Sequence, residues 1–319
     1  MSGIDYAAMK RAISGEFAME LHGNKNDSKP HPGYRTLGVS FENDETLANS
    51  CLLSRPVEHL LVATNFTERS EYAIERAVEC GNRLKAQVTL LHVIEPGLSR
   101  KITKCRQHEA HEALKRRVQI LSPDVRSHIS TNVRIGEPCF EIVRESIELG
   151  SDTIILGLDG QGQTATAVVR FSNKPVLLIT RRPAGPYHCS VVDVSAIPRC
   201  TASAAVRLAP TAISHFVYVR SQFAVGSSKK GPPPARSVQL IISPGHDRRV
   251  LGTRWMPDSL VQATGDPIDV LLNVVDRVSA NLLVVDAYSA LQETREHRIC
   301  LAQDFAAAPR CDLLVVASQ

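Results

Sequence analysis

Aromatic residues make up only 5% of the 319-residue chain, with a single Trp. So few flat side chains leave no platform on which bases could stack. Neither sign of charge dominates, since 37 Lys and Arg against 33 Asp and Glu give +4 at pH 7. The cations are scattered along the sequence, whereas nucleic-acid binding needs a clustered stripe or a stacking platform, so no nucleic-acid partner is expected. No apolar run approaches the roughly 18 residues of a membrane-spanning helix, and no membrane partner is expected either. The opening MSGIDYAAMKRAISG lacks the continuous apolar segment of a signal peptide, which makes a cytoplasmic protein the expectation. The eight cysteines include no CxxC pair. Cys80, Cys139 and Cys300 fall inside expected helices or strands, where buried reduced thiols are the simpler reading. Cys105, His108 and His111 bear a metal-ligating look, but on a helix i and i+3 share a face while i+6 points away, so no metal site is expected.

What is present is a pattern that occurs twice. Gly136 to Gly157 reads GEPCFEIVRESIELGSDTIILG, and Gly265 to Asp286 reads GDPIDVLLNVVDRVSANLLVVD. The two align without a gap as a turn with Pro, an amphipathic helix and a short buried strand. Copies so far apart indicate a duplicated domain rather than a solenoid. The duplication extends outward. His59 to Thr64 is an apolar run followed by a polar loop, a helix with Ala73, Ile74, Ala77, Val78 and Cys80 on one stripe, and the strand Val88 to Val93. The second half opens with Ser190-Val-Val192, Asp193, a helix around Ala202 to Leu208, and the strand Phe216 to Val219. Each half ends on one more strand, Pro175 to Ile179 and Leu313 to Val316. Near-continuous apolar strands alternating with amphipathic helices predict a doubly wound, mostly parallel α/β architecture.

The runs VATNFTERSEYAIERA, LLHVIEP, GEPCFEIVRESIELGSDTIILGLDG and KPVLLIT, in that order, resemble a universal stress protein domain over about Val57 to Thr180. A fainter likeness covers about Tyr187 to Ser318. The resemblance implies two five-stranded, Rossmann-like domains in tandem, of the adenine nucleotide alpha hydrolase-like kind: 56–182 and a degenerate 183–319. Before them, Asn24 to Gly33 is polar and broken by Pro and Gly, so 1–55 is expected to be a disordered extension in which Ala7 to Leu21 could form one short helix. Arg181 to Pro186, rich in Pro and Gly, is the expected boundary. Gly226 to Ala235 is an expected flexible loop where the first half carries a long charged helix near Lys104 to Leu121.

ATP-binding members of the family carry an Asp after the first strand. After the fourth they carry Gly-x-x-Gly, nine residues, then Gly-Ser or Gly-Thr. Glycines let backbone approach phosphate, and the helix start donates N–H groups. The first half keeps part of this: Gly157 and Gly160 match the opening, and Gly162, Thr164 and Thr166 could donate at the helix start. Thr64, Asn65 and Val93 complete the candidate set. Asn65 replaces the family Asp, and the loop is short. The second half keeps Asp193 and the loop length, but has Asp286-Ala-Tyr-Ser289 for the glycines and Ile299-Cys300 for Gly-Ser. Neither half should hold a triphosphate tightly, so no cofactor is firmly expected and ATP or AMP only at low affinity. Ser70, His92 and Asp159 do not amount to a catalytic triad, because nothing resembles a nucleophile elbow. The expected function is a non-enzymatic stress-response or regulatory binding module, its halves paired through their last strands as an intramolecular pseudo-dimer. The alternative is an adenine-nucleotide sensor using the first half. The expected protein partner is unidentified, and a homodimer is the further assembly the resemblance allows.

Overall fold

The computed structural model describes residues 55–121, 123–126, 128–158, 162–220, 238–239, 259–264, 267–291 and 300–317. The expected disordered extension before Arg55, the loop 226–235, and Asp159, Gly160 and Ile299 lie outside the described residues. The first half runs β1 (His59–Ala63), α1 (Glu68–Leu84), β2 (Gln87–Ile94), α2 (Arg100–Gln119), α3 (Pro123–Arg126), β3 (Ile129–Ile135), α4 (Pro138–Glu148), β4 (Thr153–Gly157), α5 (Gln163–Phe171) and β5 (Val176–Ile179). The second runs β6 (Cys189–Asp193), α6 (Pro198–Leu208), β7 (Ile213–Arg220), β8 (Val238–Gln239), β9 (Ser259–Thr264), α7 (Pro267–Val278), β10 (Leu282–Asp286), α8 (Ala287–Leu291), α9 (Leu301–Ala307) and β11 (Asp312–Val316).

The repeated 22-residue pattern folds the same way in both halves. Pro138 and Pro267 open α4 and α7, where a missing N–H costs nothing. The helices bury Ile142 and Val143 in one case and Val270, Leu271, Val274 and Val275 in the other. Each then feeds a buried strand, β4 or β10. The helix α1 follows its apolar stripe, burying Ala73, Ile74, Ala77 and Cys80, and it stops at Lys85 in the left-handed conformation. Burial pushes the Cys80 thiol up to about 12, so this cysteine behaves as a small apolar side chain.

The eleven strands of the described residues form one sheet in the order β3-β2-β1-β4-β5-β11-β10-β6-β7-β9-β8. Each half has the doubly wound arrangement that the sequence predicts, in mirror order, and the sheet runs unbroken between them. Pairing is parallel except at β8–β9 and at the seam, where β5 meets β11 antiparallel with Leu178 opposite Leu313, Leu177 opposite Leu314 and Val176 opposite Val315. All six of these side chains are buried. Alternate residues of a strand share a face, and a single core cluster accordingly spans both halves, taking Leu177 and Ile179 from β5, Leu314 and Val316 from β11, and Ala77 and Ala205 from α1 and α6.

A buried polar knot sits on the seam. Arg76 of α1 places its guanidinium 4.1 Å from the centre of the Tyr187 ring. Its Nε lies 3.3 Å from Asp312 Oδ2, and its Nη1 donates to the Gly185 carbonyl at 2.7 Å. The Tyr187 hydroxyl donates to Asp312 Oδ2 at 2.7 Å, and the Thr180 N–H donates to Oδ1 at 3.3 Å. Burial works against both charges. It raises the Asp312 carboxyl although Arg76, Tyr187 and Thr180 pull it down. Arginine, whose ordinary value is so high, stays charged. A second tie lies nearer the surface. Arg207 of α6 donates to Asp152 Oδ1 at 2.8 Å, while the N–H groups of Glu58 and His59 donate to Oδ2.

Two expectations follow. Removing one member of a buried ion pair strands the other, so Arg76→Ala should lower stability by about 3–5 kcal/mol in denaturant titration; a loss below about 1 kcal/mol would count against the knot. Burial raises the Asp152 carboxyl, but the Glu58 and His59 N–H groups and Arg207 outweigh it and hold the carboxyl below its usual range. Its stabilisation is therefore fully present above about pH 4 and is lost as pH falls through the lower folded-state value. Thermal melts of Asp152→Asn should show a flatter acid limb than the parent protein, and an unchanged slope would contradict this.

Candidate functional site

In an open α/β sheet the ligand crevice lies beyond the carboxyl ends of the strands where the order reverses, here between β1 and β4. Parallel register sets Ala63 beside Leu91 and Leu156. That places Thr64 and Asn65 after β1, Val93 near the end of β2 and Gly157 at the end of β4 around one crevice. Gly162 opens α5 close by, while Gly160 lies outside the described residues.

The side chains there are spent on the protein's own contacts. The Thr64 hydroxyl lies 2.9 Å from that of Ser70 and accepts from the Phe66 N–H at 3.0 Å. Asn65 Oδ1 accepts from both the N–H and the hydroxyl of Thr67, at 3.2 and 2.6 Å. The oxygen that a family Asp would offer a ribose is thus turned onto its own loop. Gly157 is needed for close packing: a Cβ there would sit 2.4 Å from the Arg69 carbonyl oxygen and 2.7 Å from the Ser70 nitrogen. The first turn of α1 occupies the space that a glycine could have yielded to a phosphate. Gly162 adopts the left-handed conformation, φ 63°, and is buried. A Cβ on it would meet Leu158 at 3.1 Å and, across the seam, Ala306 of α9 at 4.0 Å. Thr164 is exposed, and the Thr166 hydroxyl is buried without a partner among the described residues.

The Ser70 hydroxyl also donates to the Thr67 carbonyl, and His92 Nδ1–H donates to the Thr64 carbonyl at 2.8 Å. Both are employed in holding the β1–α1 loop. Burial lowers the His92 imidazole below its ordinary value despite that hydrogen bond. Phe66 stacks on it with ring centres 4.5 Å apart. Phe66 itself has φ 61°, an uncommon place for a bulky residue, fixed by the stack and by Thr64.

The corresponding place in the second half is filled from within. Asp193 is buried, and its Oδ1 accepts from the Ser195 N–H at 2.9 Å; burial raises its carboxyl. Of the residues standing for Gly-x-x-Gly, Asp286 ends β10 and Ala287, Tyr288 and Ser289 open α8. Asp286 Oδ1 accepts from the N–H groups of Tyr288 and Ser289, at 2.9 and 3.1 Å, and Oδ2 accepts from the Ser289 hydroxyl at 2.5 Å. The protein's own carboxylate takes the helix-start donors that an anion would need. Two shallow depressions border these places: one of about 310 Å³ between Phe66 and Ile120, and one of about 250 Å³ between Arg170 of α5 and Tyr288 of α8.

Residues 56–180 match the Universal stress protein family. This stretch is a universal stress protein domain. No curated protein matches the sequence. Among solved structures, a universal stress protein from Archaeoglobus fulgidus DSM 4304 is 16% identical with a TM-score of 0.58, over 81% of this chain and 98% of that one. That alignment covers more of the chain than either half contains, so the universal stress protein fold reaches into both. The universal stress protein UspA from Lactobacillus plantarum is 20% identical over 39% of this chain and 99% of its own, with a TM-score of 0.36. A universal stress protein in complex with cAMP is 17% identical over 39% and 98%, with a TM-score of 0.28.

Sequence reasoning missed the seam knot. The available signal was Arg76 itself, a cation set among Ala73, Ile74 and Ala77 on an apolar stripe, together with Asp312 opening an apolar strand. The role of Gly157 yields a direct check. Gly157→Ala should cost about 1–3 kcal/mol in a denaturant melt with no nucleotide present, because the new methyl meets backbone that cannot swing aside. Unchanged stability would mean that the close approach to α1 is not what the glycine serves.

Proposed function

We propose that the chain is a non-enzymatic, cytoplasmic stress-response or regulatory binding module. Its universal stress protein domain and a degenerate second copy act as an intramolecular pseudo-dimer with impaired nucleotide sites. The observation that carries this reading is the internal use of both crevices: Gly157 packs on α1, and Asp286 caps α8 where phosphate donors would be needed. The antiparallel pairing of β5 with β11 supports the pseudo-dimer, since it gives each half the same partner surface. The rival reading, an adenine-nucleotide sensor, draws on Thr64, Asn65, Val93 and Gly157 meeting at one switch point of the sheet. Any such affinity resides in the first half and favours the adenosine part over the phosphates.

Isothermal titration separates the two. ATP should bind more weakly than about 100 μM, worth less than about 6 kcal/mol, and Gly160→Val should change little. Micromolar ATP binding that the same substitution abolishes would replace the regulatory-module reading with the sensor.

A further inference from the structure

The helix α2 is 20 residues long and buries only Ala110 and Leu114. Its sequence, RKITKCRQHEAHEALKRRVQ, carries seven Lys and Arg against two Glu, a net +5. The whole chain is only +4, so this one element holds more net charge than the protein. The cations are not spread evenly around it. At 3.6 residues per turn, four of the seven, Arg100, Lys101, Lys104 and Lys115, fall within an arc of roughly 100° that runs for roughly 22 Å along the axis and also carries His108 and His111, while Arg106, Arg116 and Arg117 lie outside it. The four cations and both histidines of the arc are exposed.

The nearby acids do little to balance the stripe. Glu109 accepts from the Cys105 thiol, and Glu112 pairs with Lys115 at 2.9 Å. Arg100, Lys101 and Lys104 have no acidic partner among the described residues. Arg100 and Lys101 also occupy the first turn of the helix, where no acidic residue stands. The positive end of the macrodipole adds to their charge there instead of being offset. Ser99 caps that end through its own side chain, 3.5 Å from the Ile102 N–H.

We propose that the exposed stripe of α2 is a docking surface for the phosphate backbone of a nucleic-acid duplex. The arc contains no Phe, Tyr, Trp, Leu, Ile or Met, and its one apolar member, Val118, packs on the core, which removes the anchors of a protein interface and the apolar face of a membrane-surface helix. Exposed Ile102 lies outside it. Exposed Lys and Arg side chains with no Phe, Tyr or Trp among them suit phosphates and give sequence-independent contact with a duplex, not the base stacking of single strands. Charges that look scattered in linear order, and so argued against a nucleic-acid partner, include four of this helix's seven Lys and Arg on one face. This proposal is independent of whether the β1–β4 crevice takes a nucleotide.

The test is fluorescence anisotropy of a short labelled DNA duplex with the full-length protein at about 50 and 150 mM salt. Three unpaired cations give a slope near −2.7 in log K against log salt, so affinity should fall roughly 20-fold across that range. Lys101→Glu with Lys104→Glu should abolish binding at the lower salt and leave the thermal melt unchanged, both side chains being exposed. Arg126→Glu with Arg277→Glu applies the same charge change elsewhere and should keep affinity within about twofold. No binding at the lower salt, equal loss from both double variants, or tighter binding to polyglutamate or to phosphatidylserine vesicles than to the duplex would overturn the proposal.

Discussion

The antiparallel pairing of β5 with β11 is the constraint on which the rest of the molecule depends. It turns two five-stranded patterns into one sheet with a shared core, and it buries Leu177, Leu178, Leu313 and Leu314, which would otherwise line an open edge. An aliphatic side chain fully withdrawn from water contributes about 1.5–3 kcal/mol, so the seam is a substantial part of the stability of either half. The Arg76–Tyr187–Asp312 knot ties the first half to β11 beside this pairing. Burying those groups is costly, and the knot is better understood as specifying one arrangement than as a source of net stability, in line with the use of buried polar groups to select register.

The seam also bears on the site. Gly162 at the start of α5 packs towards Ala306 of α9, so the second half closes in on the helix start that would face a ligand of the first. The segment Arg181 to Pro186 reads in sequence as a tether between domains. Its neighbour Tyr187 is fully buried, and Gly185 accepts from Arg76, so the chain between the halves is held by the knot. Joining the halves and filling the first crevice thus share the helix α1, which gives Arg76 to the knot and packs its first turn on Gly157.

Much of the fold was legible because hydrophobic period is a local signal. The duplicated turn–helix–strand pattern marked α4–β4 and α7–β10, and the continuous apolar runs marked β1, β2, β5 and β11. The edge strand β3 was not read, since Ile129 to Ile135 alternates weakly and half faces solvent. At the site, the types and order of Thr64, Asn65 and Gly157 could be read, but not their loyalties. A glycine spent on a neighbouring helix and one spent on a phosphate are the same letter. Asp286 was read as a lost glycine, whereas its carboxylate is a helix cap. Radial sorting of charge on α2 was likewise invisible to a count of charges along the chain.

The central claim is that the second half serves the first as its permanent sheet partner. Sedimentation of a fragment comprising residues 56–182 tests it most directly. Without β11 the apolar edge of β5 is open, and such an edge pairs with whatever strand it meets. The fragment should dimerise or aggregate where the full chain shows no such edge-driven association. A fragment that stays monomeric at high concentration, folded and as stable as the full-length protein, would contradict the account.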